Sequence, residues 1–316
     1  MDTLQFAAYS ALKHCLNIKK NDHVLILADA PKFEIGQEFY LNTLKLSDSC
    51  NFLVIPPVFC GYEPPQAIAL MMEHADAIVL ITSHSLSHTN ARRRASRKGA
   101  KIASLPGITV ESLIRTMDGD YQSIADQSQK IADIFTIGHS GKLTTPAGTD
   151  LTFSIFRMKG HADTGILNDP GQFSNIPAGE GCAAPVSGST QGILVVDGSF
   201  PVIGKINQPI HMTVKNGYVT RISGGEEAVK IRKLLHPFGK QGKNIAEIGI
   251  GTNPKAKLTG LMLEDEKVLG TVHVALGNNL SFDGKVAVHC HFDGILLNPT
   301  LVIDGKKIVE NGILQV

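Results

Sequence analysis

The first third of the chain alternates two kinds of pattern. Asp22-His23-Val24-Leu25-Ile26-Leu27-Ala28 is an almost continuous apolar run, which is how a parallel strand buried on both faces reads. A helical stretch over 36–46 follows, then Asn51-Phe52-Leu53-Val54-Ile55-Pro56, a strand closed by prolines. The alternation continues with helix over 65–74, strand over 77–82, helix over 89–98 and strand over 101–105. A short helix over 4–16 precedes them. Repeated strand–helix units predict a doubly wound parallel α/β domain. A helix over 121–135, with Ile124, Ala125, Ile131, Ala132 and Phe135 on one stripe, closes this part.

From Lys142 the texture changes. Leu143-Thr144-Thr145-Pro146-Ala147-Gly148-Thr149-Asp150-Leu151-Thr152-Phe153 reads as two strands around a turn. Short strands follow over 192–197, 208–214 and 218–222, and Asn216-Gly217 between the last two is a strong hairpin signal. One helix over 226–235 interrupts them. The pattern predicts an α/β domain over 1–138 and a β-rich domain over 139–316.

Composition narrows the class. At 316 residues the chain is roughly twice the ~150 residues of a typical domain. It is 43% hydrophobic, enough to build a large core and too apolar for a disordered chain. Thirty basic against 29 acidic side chains leave no surplus for phosphate neutralisation, so nucleic acid is not expected as a partner. Five scattered cysteines with no CxxC pair point to reduced thiols rather than a disulfide framework. No secretory pattern opens the chain, and the apolar stretches are strand-sized. The expectation is a cytoplasmic protein without membrane association. Neither a P-loop nor a GxGxxG after a strand is present, so nucleotide cofactors are not indicated.

The chemistry concentrates in the second half. Val286-Ala287-Val288-His289-Cys290-His291-Phe292-Asp293-Gly294 reads as a strand, in which His289, His291 and Asp293 share a face. His291 and Asp293 suit a divalent ion such as Zn, Mn, Co or Fe(II); a solvent-exposed polar strand face is the plainer alternative. His273 sits among Val272, Val274 and Ala275. Glu247 lies in the apolar run 244–251, and Glu180 follows Asn175-Ile176-Pro177-Ala178-Gly179. A glutamate inside an apolar strand is expensive to bury unless paired or ligated. Three such positions together with an HxD pair favour a shared metal site over separate ion pairs.

These motifs resemble a known family. Asn175-Ile176-Pro177-Ala178-Gly179-Glu180, with Pro185-Val186 and Gly192, is similar to the N-x-P-x-G-E signature of the aminopeptidase T/aminopeptidase S metallopeptidases. Ala246-Glu247, Asp265-Glu266, His273-x-Ala275-x-Gly277 and His291-x-Asp293 follow in the family's order. The resemblance implies five metal ligands, namely Glu180, Glu247, His273, His291 and Asp293. It also implies two divalent ions (Zn, Co or Mn), a homodimer with enclosed sites, and hydrolysis of an N-terminal peptide or related amide bond. In that mechanism Glu180 or Glu247 bridges the ions or takes the proton of the attacking water. Unlike the peptidases, this chain has no tyrosine over 277–282. The same superfamily includes Fe(II) dioxygenases that open 2,5-dihydroxypyridine rings with a His-His-Asp set resembling His273, His291 and Asp293. A small-molecule substrate and a ring-cleaving reaction are therefore the alternative, and a metal-stabilised binding protein a third reading.

One further segment stands at the carboxyl end of the strand over 77–82, where α/β sheets place ligands. It runs Thr82-Ser83-His84-Ser85-Leu86-Ser87-His88-Thr89-Asn90-Ala91-Arg92-Arg93-Arg94. His88 or an arginine such as Arg92 reaching the substrate is one reading, with His88 transferring a proton. A capped surface helix with solvated arginines is the other.

Overall fold

The computed structural model describes residues 3–57, 62–87 and 89–316. The chain divides into two compact units, Met1–Ala125 with Thr164–Ala178, and Asp126–Asp163 with Gly179–Val316. The sequence places one boundary at 138. The segment over 164–178 departs from that reading because it returns to the first unit to add a strand.

In the first unit β1 (His23–Asp29), β2 (Ser49–Ile55), β3 (Ala77–Ile81), β4 (Lys101–Ser104) and, much later in the chain, β8 (Phe173–Asn175) form a five-stranded sheet. Its order is β2-β1-β3-β4-β8 and every pairing is parallel. Helices α1 (Thr3–Ser10), α2 (Phe33–Thr43), α3 (Gln66–Met72), α4 (Asn90–Arg97) and α5 (Val110–Met117) belong to this unit. The unbroken apolar runs are explained by burial: all five residues of β3 and six of the seven in β1 are buried. This is the doubly wound parallel arrangement expected from the sequence.

The second unit begins within α6 (Tyr121–Ile137) and is strand-rich. One antiparallel sheet contains β5 (Ser140–Thr144), β6 (Asp150–Ser154), β10 (Gln191–Val196), β13 (Ile210–Lys215), β14 (Tyr218–Ser223), β18 (Thr300–Ile303), β19 (Lys306–Glu310) and β20 (Ile313–Leu314), in the order β14-β13-β10-β6-β5-β18-β19-β20. Asn216 and Gly217, with φ of 51° and 76°, make the turn between β13 and β14, as the hairpin signal requires. Strands β11 (Ser199–Phe200) and β12 (Gly204–Lys205) pair separately, and α7 (Glu226–Leu235) packs with the core through Ala228, Ile231 and Leu235.

The second antiparallel sheet carries the histidines and carboxylates singled out in the sequence. It consists of β7 (His161–Asp163), β9 (Glu180–Ala183), β15 (Ile245–Gly251), β16 (Val272–Gly277) and β17 (His291–Leu296), in the order β17-β16-β15-β9-β7. Helix α8 (Met262–Asp265) lies in the connection between β15 and β16. Ile248, Ile250, Val272, Val274, Leu276 and Leu296 join one core with Leu151, Leu194, Val196 and Met212 of the larger sheet. Among the described residues, no helix is long and apolar enough to cross a membrane.

Candidate metal centre

Register decides which side chains meet. Across the second sheet Ala275 pairs with Asp293, Gly277 with His291, Ala275 with Glu247, and His273 with Gly249. Gly251 pairs with Glu180, Gly249 with Cys182, and Asp163 with Glu180. Because successive side chains alternate between faces, Asp163, Glu180, Cys182, Glu247, His273, His291 and Asp293 share the face opposite the apolar core. The sheet is thus apolar on one side and ionisable on the other. All five residues singled out as ligands stand on the ionisable side.

Glycine makes room for this crowding. A Cβ on Gly249 would lie 2.1 Å from His273 Nε2, so the imidazole rests directly on the backbone of β15. A Cβ on Gly251 would lie 2.1 Å from the carbonyl oxygen of Val268 and 2.7 Å from the carbonyl carbon of Lys267. The segment after α8 therefore lies against β15 and brings Lys267 to the site.

The contacts form two groups that share one residue. Glu180, Glu247 and His273 make the first, and Glu247, His291 and Asp293 the second; in each group the donor atoms lie within 4.8 Å of one another. His273 Nε2 stands 3.3 Å from Glu180 Oε2 and 3.5 Å from Glu247 Oε1. His291 Nε2 stands 3.1 Å from Glu247 Oε2 and 3.4 Å from Asp293 Oδ1. His291 Nδ1 donates to the Asn278 carbonyl at 2.8 Å, which orients the ring and turns Nε2 towards the carboxylates.

Lys267 lies beside the first group. It is fully buried, and its Nζ is 2.7 Å from Glu180 Oε1, 2.9 Å from Asp163 Oδ2 and 2.9 Å from Glu266 Oε1. Burial alone would lower its pKa, but Asp163, Glu180 and Glu266 more than offset this and hold it well above the usual lysine value. Burial raises the carboxyls of Glu180 and Glu266, the latter to about 8. Glu247 goes the other way: burial pushes its carboxyl up, but hydrogen bonds from His273 and His291 pull it below the ordinary range. Against the effect of burial, Glu247, Glu180 and Asp293 raise His273 to about 9, and Asp293 and Glu247 hold His291 well above the usual imidazole value. Burial, with the nearby Glu247 and Glu180, keeps the Cys182 thiol protonated.

The donor set fits a divalent ion. It offers imidazole nitrogens and carboxylate oxygens on one rigid sheet, the mixture that suits Fe(II), Mn and Zn. Among the described residues, His273 Nδ1 is buried without a hydrogen-bond partner.

Residues 62–316 match the family model NicX, described as 2,5-dihydroxypyridine 5,6-dioxygenase. The chain belongs to this family. Among solved structures, this NicX-family chain is similar to a 2,5-dihydroxypyridine dioxygenase from Pseudomonas putida KT2440, with TM-score 0.86 and 20% identity, covering 99% of this chain and 97% of that one. It is also similar to wild-type AmpT from Thermus thermophilus, with TM-score 0.72 and 13% identity, covering 99% of both chains. No curated protein matches it. The fold is therefore that of the superfamily expected from the sequence. The family match lies on its dioxygenase side; the peptidase side rests on likeness of fold.

Other expectations fare differently in this NicX-family chain. His289 does not share the face of His291 and Asp293: it is exposed and lies ahead of β17, which begins only at His291. Residues 278–290 form a loop with a left-handed Asp283 instead of continuing the strand. His88 lies outside the described residues. Thr89 caps α4 by accepting from Arg92 N at 3.2 Å. Arg92 donates from Nε to the Ser87 carbonyl at 2.6 Å, and its guanidinium lies 4.5 Å over the Phe173 ring. It packs within the first unit, where the sequence also allowed a role towards substrate. Lys267, Asp163 and Cys182 also stand at this site, and no sequence pattern points to them. Lys267 follows Glu264-Asp265-Glu266 and reads as a solvated charge run, and Asp163 carries no local signal.

Proposed function

We propose that this chain is a metal-dependent dioxygenase that opens a dihydroxylated, nitrogen-containing aromatic ring, with Fe(II) held by His273, His291 and Asp293. The observation that supports it is the family match over 62–316, a stretch containing all three residues on adjacent strands of one sheet face. Two histidines with one carboxylate are the donor set typical of non-haem Fe(II) oxygenases. Such an ion, when bound, supplies the dioxygen chemistry.

The chain's own residues supply the rest. Glu247 contacts both imidazoles, one through each carboxylate oxygen, and fixes their orientation. Glu180 is held through Oε1 by Lys267, leaving Oε2 on the side of His273. Its raised pKa suits a group that takes a proton from a ring hydroxyl and later returns it. The buried, protonated Cys182 adds no competing nucleophile.

A second reading, hydrolysis of an N-terminal peptide bond by two ions, is favoured by one feature. Glu247 divides its two oxygens between the two donor groups, as a bridging carboxylate would. The stretch 277–282 offers no tyrosine to assist it. Anaerobic Fe(II) loading followed by oxygen and 2,5-dihydroxypyridine separates the two. Oxygen uptake stoichiometric with ring loss is expected. Release of an amino acid from a peptide by metal-loaded protein, with no oxygen uptake, would overturn the dioxygenase reading.

A further inference from the structure

We propose that Lys267 stands in for a second metal cation, so that this chain binds one divalent ion and keeps Glu180 as a base instead of a ligand. The inference deepens the ring-opening reading and rests on it for the role of Glu180; the ion count is measured independently.

The argument begins with charge. Five carboxylates, Asp163, Glu180, Glu247, Glu266 and Asp293, belong to the ionisable cluster, and each is at least nine-tenths buried except Asp163, which is half-buried. Buried carboxylates need compensating charge. The His291–Asp293 side receives it when one divalent ion binds. On the far side the same service is done by an ammonium group, which takes one oxygen each from Asp163, Glu180 and Glu266 at 2.7–2.9 Å. The contact with Glu180 is a hydrogen bond, and those with Asp163 and Glu266 are close ion pairs to the same ammonium.

The ammonium is built in. The backbone carrying it packs on Gly251, where a Cβ would collide with it. Lys267 N donates to the Glu264 carbonyl at 2.9 Å, and Lys267 O accepts from Asn253 N at 2.9 Å. Asp265 fixes the start of the segment by accepting from Thr259 N at 2.6 Å and from Gly260 N at 2.9 Å. A second ion coordinated by Glu180 would have to share its carboxylate with this fixed positive charge. Like charges at that separation repel strongly where the groups around them are largely buried.

The test is an ion count. Metal-free full-length protein is titrated with Mn(II), bound ions per chain are measured by mass spectrometry, and exchange coupling between ions by electron paramagnetic resonance. The wild type should bind one ion, and Lys267→Arg should also bind one. Lys267→Met should bind two and show a coupled signal. Should the single variant not accumulate folded, the double variant Glu266→Gln/Lys267→Met replaces the contact by two neutral side chains of similar size, and two ions are again expected. Two ions in the wild type, or one ion in a folded Lys267→Met or double variant, would overturn the proposal. A wild type with one ion but no oxygen uptake would remove the dioxygenase reading and leave the role of Lys267 in the count standing.

Discussion

Gly249→Ala is a one-atom perturbation aimed at a ring. The added Cβ would sit 2.1 Å from His273 Nε2 and 2.4 Å from Cε1, against an optimal carbon contact of about 3.5–4 Å. The backbone of β15 is held on both sides by β9 and β16, so the imidazole must yield. Moving it by the missing ångström or more breaks its approach to Glu180 Oε2 and Glu247 Oε1, now at 3.3 and 3.5 Å. Loss of one hydrogen bond to a charged group costs roughly 1.5–3 kcal/mol. Metal affinity should fall by about 10–100-fold or more, the loss seen when a ligand's orientation is disturbed. Denaturant unfolding of metal-free protein gives the stability term, and competition with a chelator gives the affinity. The decisive control is the same substitution in a His273→Ala background. There the collision has no partner, so Gly249→Ala should cost little. An equal penalty in both backgrounds would refute the reasoning, because the alanine would then be acting on the strand and not on the ring.

Asp293→Asn keeps the shape of the side chain but removes a negative donor beside His291; metal occupancy after dialysis should drop severalfold while the far-ultraviolet circular dichroism of the sheet persists. Glu73 accepts from Lys98 and Arg94 at 2.8 and 2.7 Å, which hold its carboxyl near 2 against an ordinary 4.5. The folded form thus favours the ionised acid, so the stabilisation is complete above about pH 4.5 and fades as pH falls towards 2. The melting-temperature gap between wild type and Glu73→Gln should be widest near neutrality and narrow below pH 4.5; a gap independent of pH would contradict the assignment.

How much of this was legible depended on periodicity. The runs at 22–28 and 77–82 announced buried parallel strands because burial on both faces leaves no polar alternation. Glu180, Glu247, His273, His291 and Asp293 were visible because each breaks an apolar context. Lys267 breaks none: it ends an acidic stretch, and only the folded chain shows that its side chain is enclosed. Strand β8 is three residues of Phe-Ser-Asn with a single apolar position, too short to show a period, and its parallel pairing with β4 is a long-range event that no local pattern encodes. His289 failed for the opposite reason. The apolar Val286 and Val288 mimic a strand start, but Val286 N bonds to the Asn279 side chain and Asn278 to the Val288 carbonyl, so the segment closes a loop.

The two-faced sheet ties folding to chemistry. If β16 slid by one residue against its neighbours, Val272, Val274 and Leu276 would turn to the ionisable side and His273 would enter the apolar interior. No arrangement of donors would survive that slip. An ion held by these donors would act as a proofreader of strand pairing: it would reward the single alignment in which three chain segments, drawn from 245–251, 272–277 and 291–296, present their odd-numbered acids and imidazoles together.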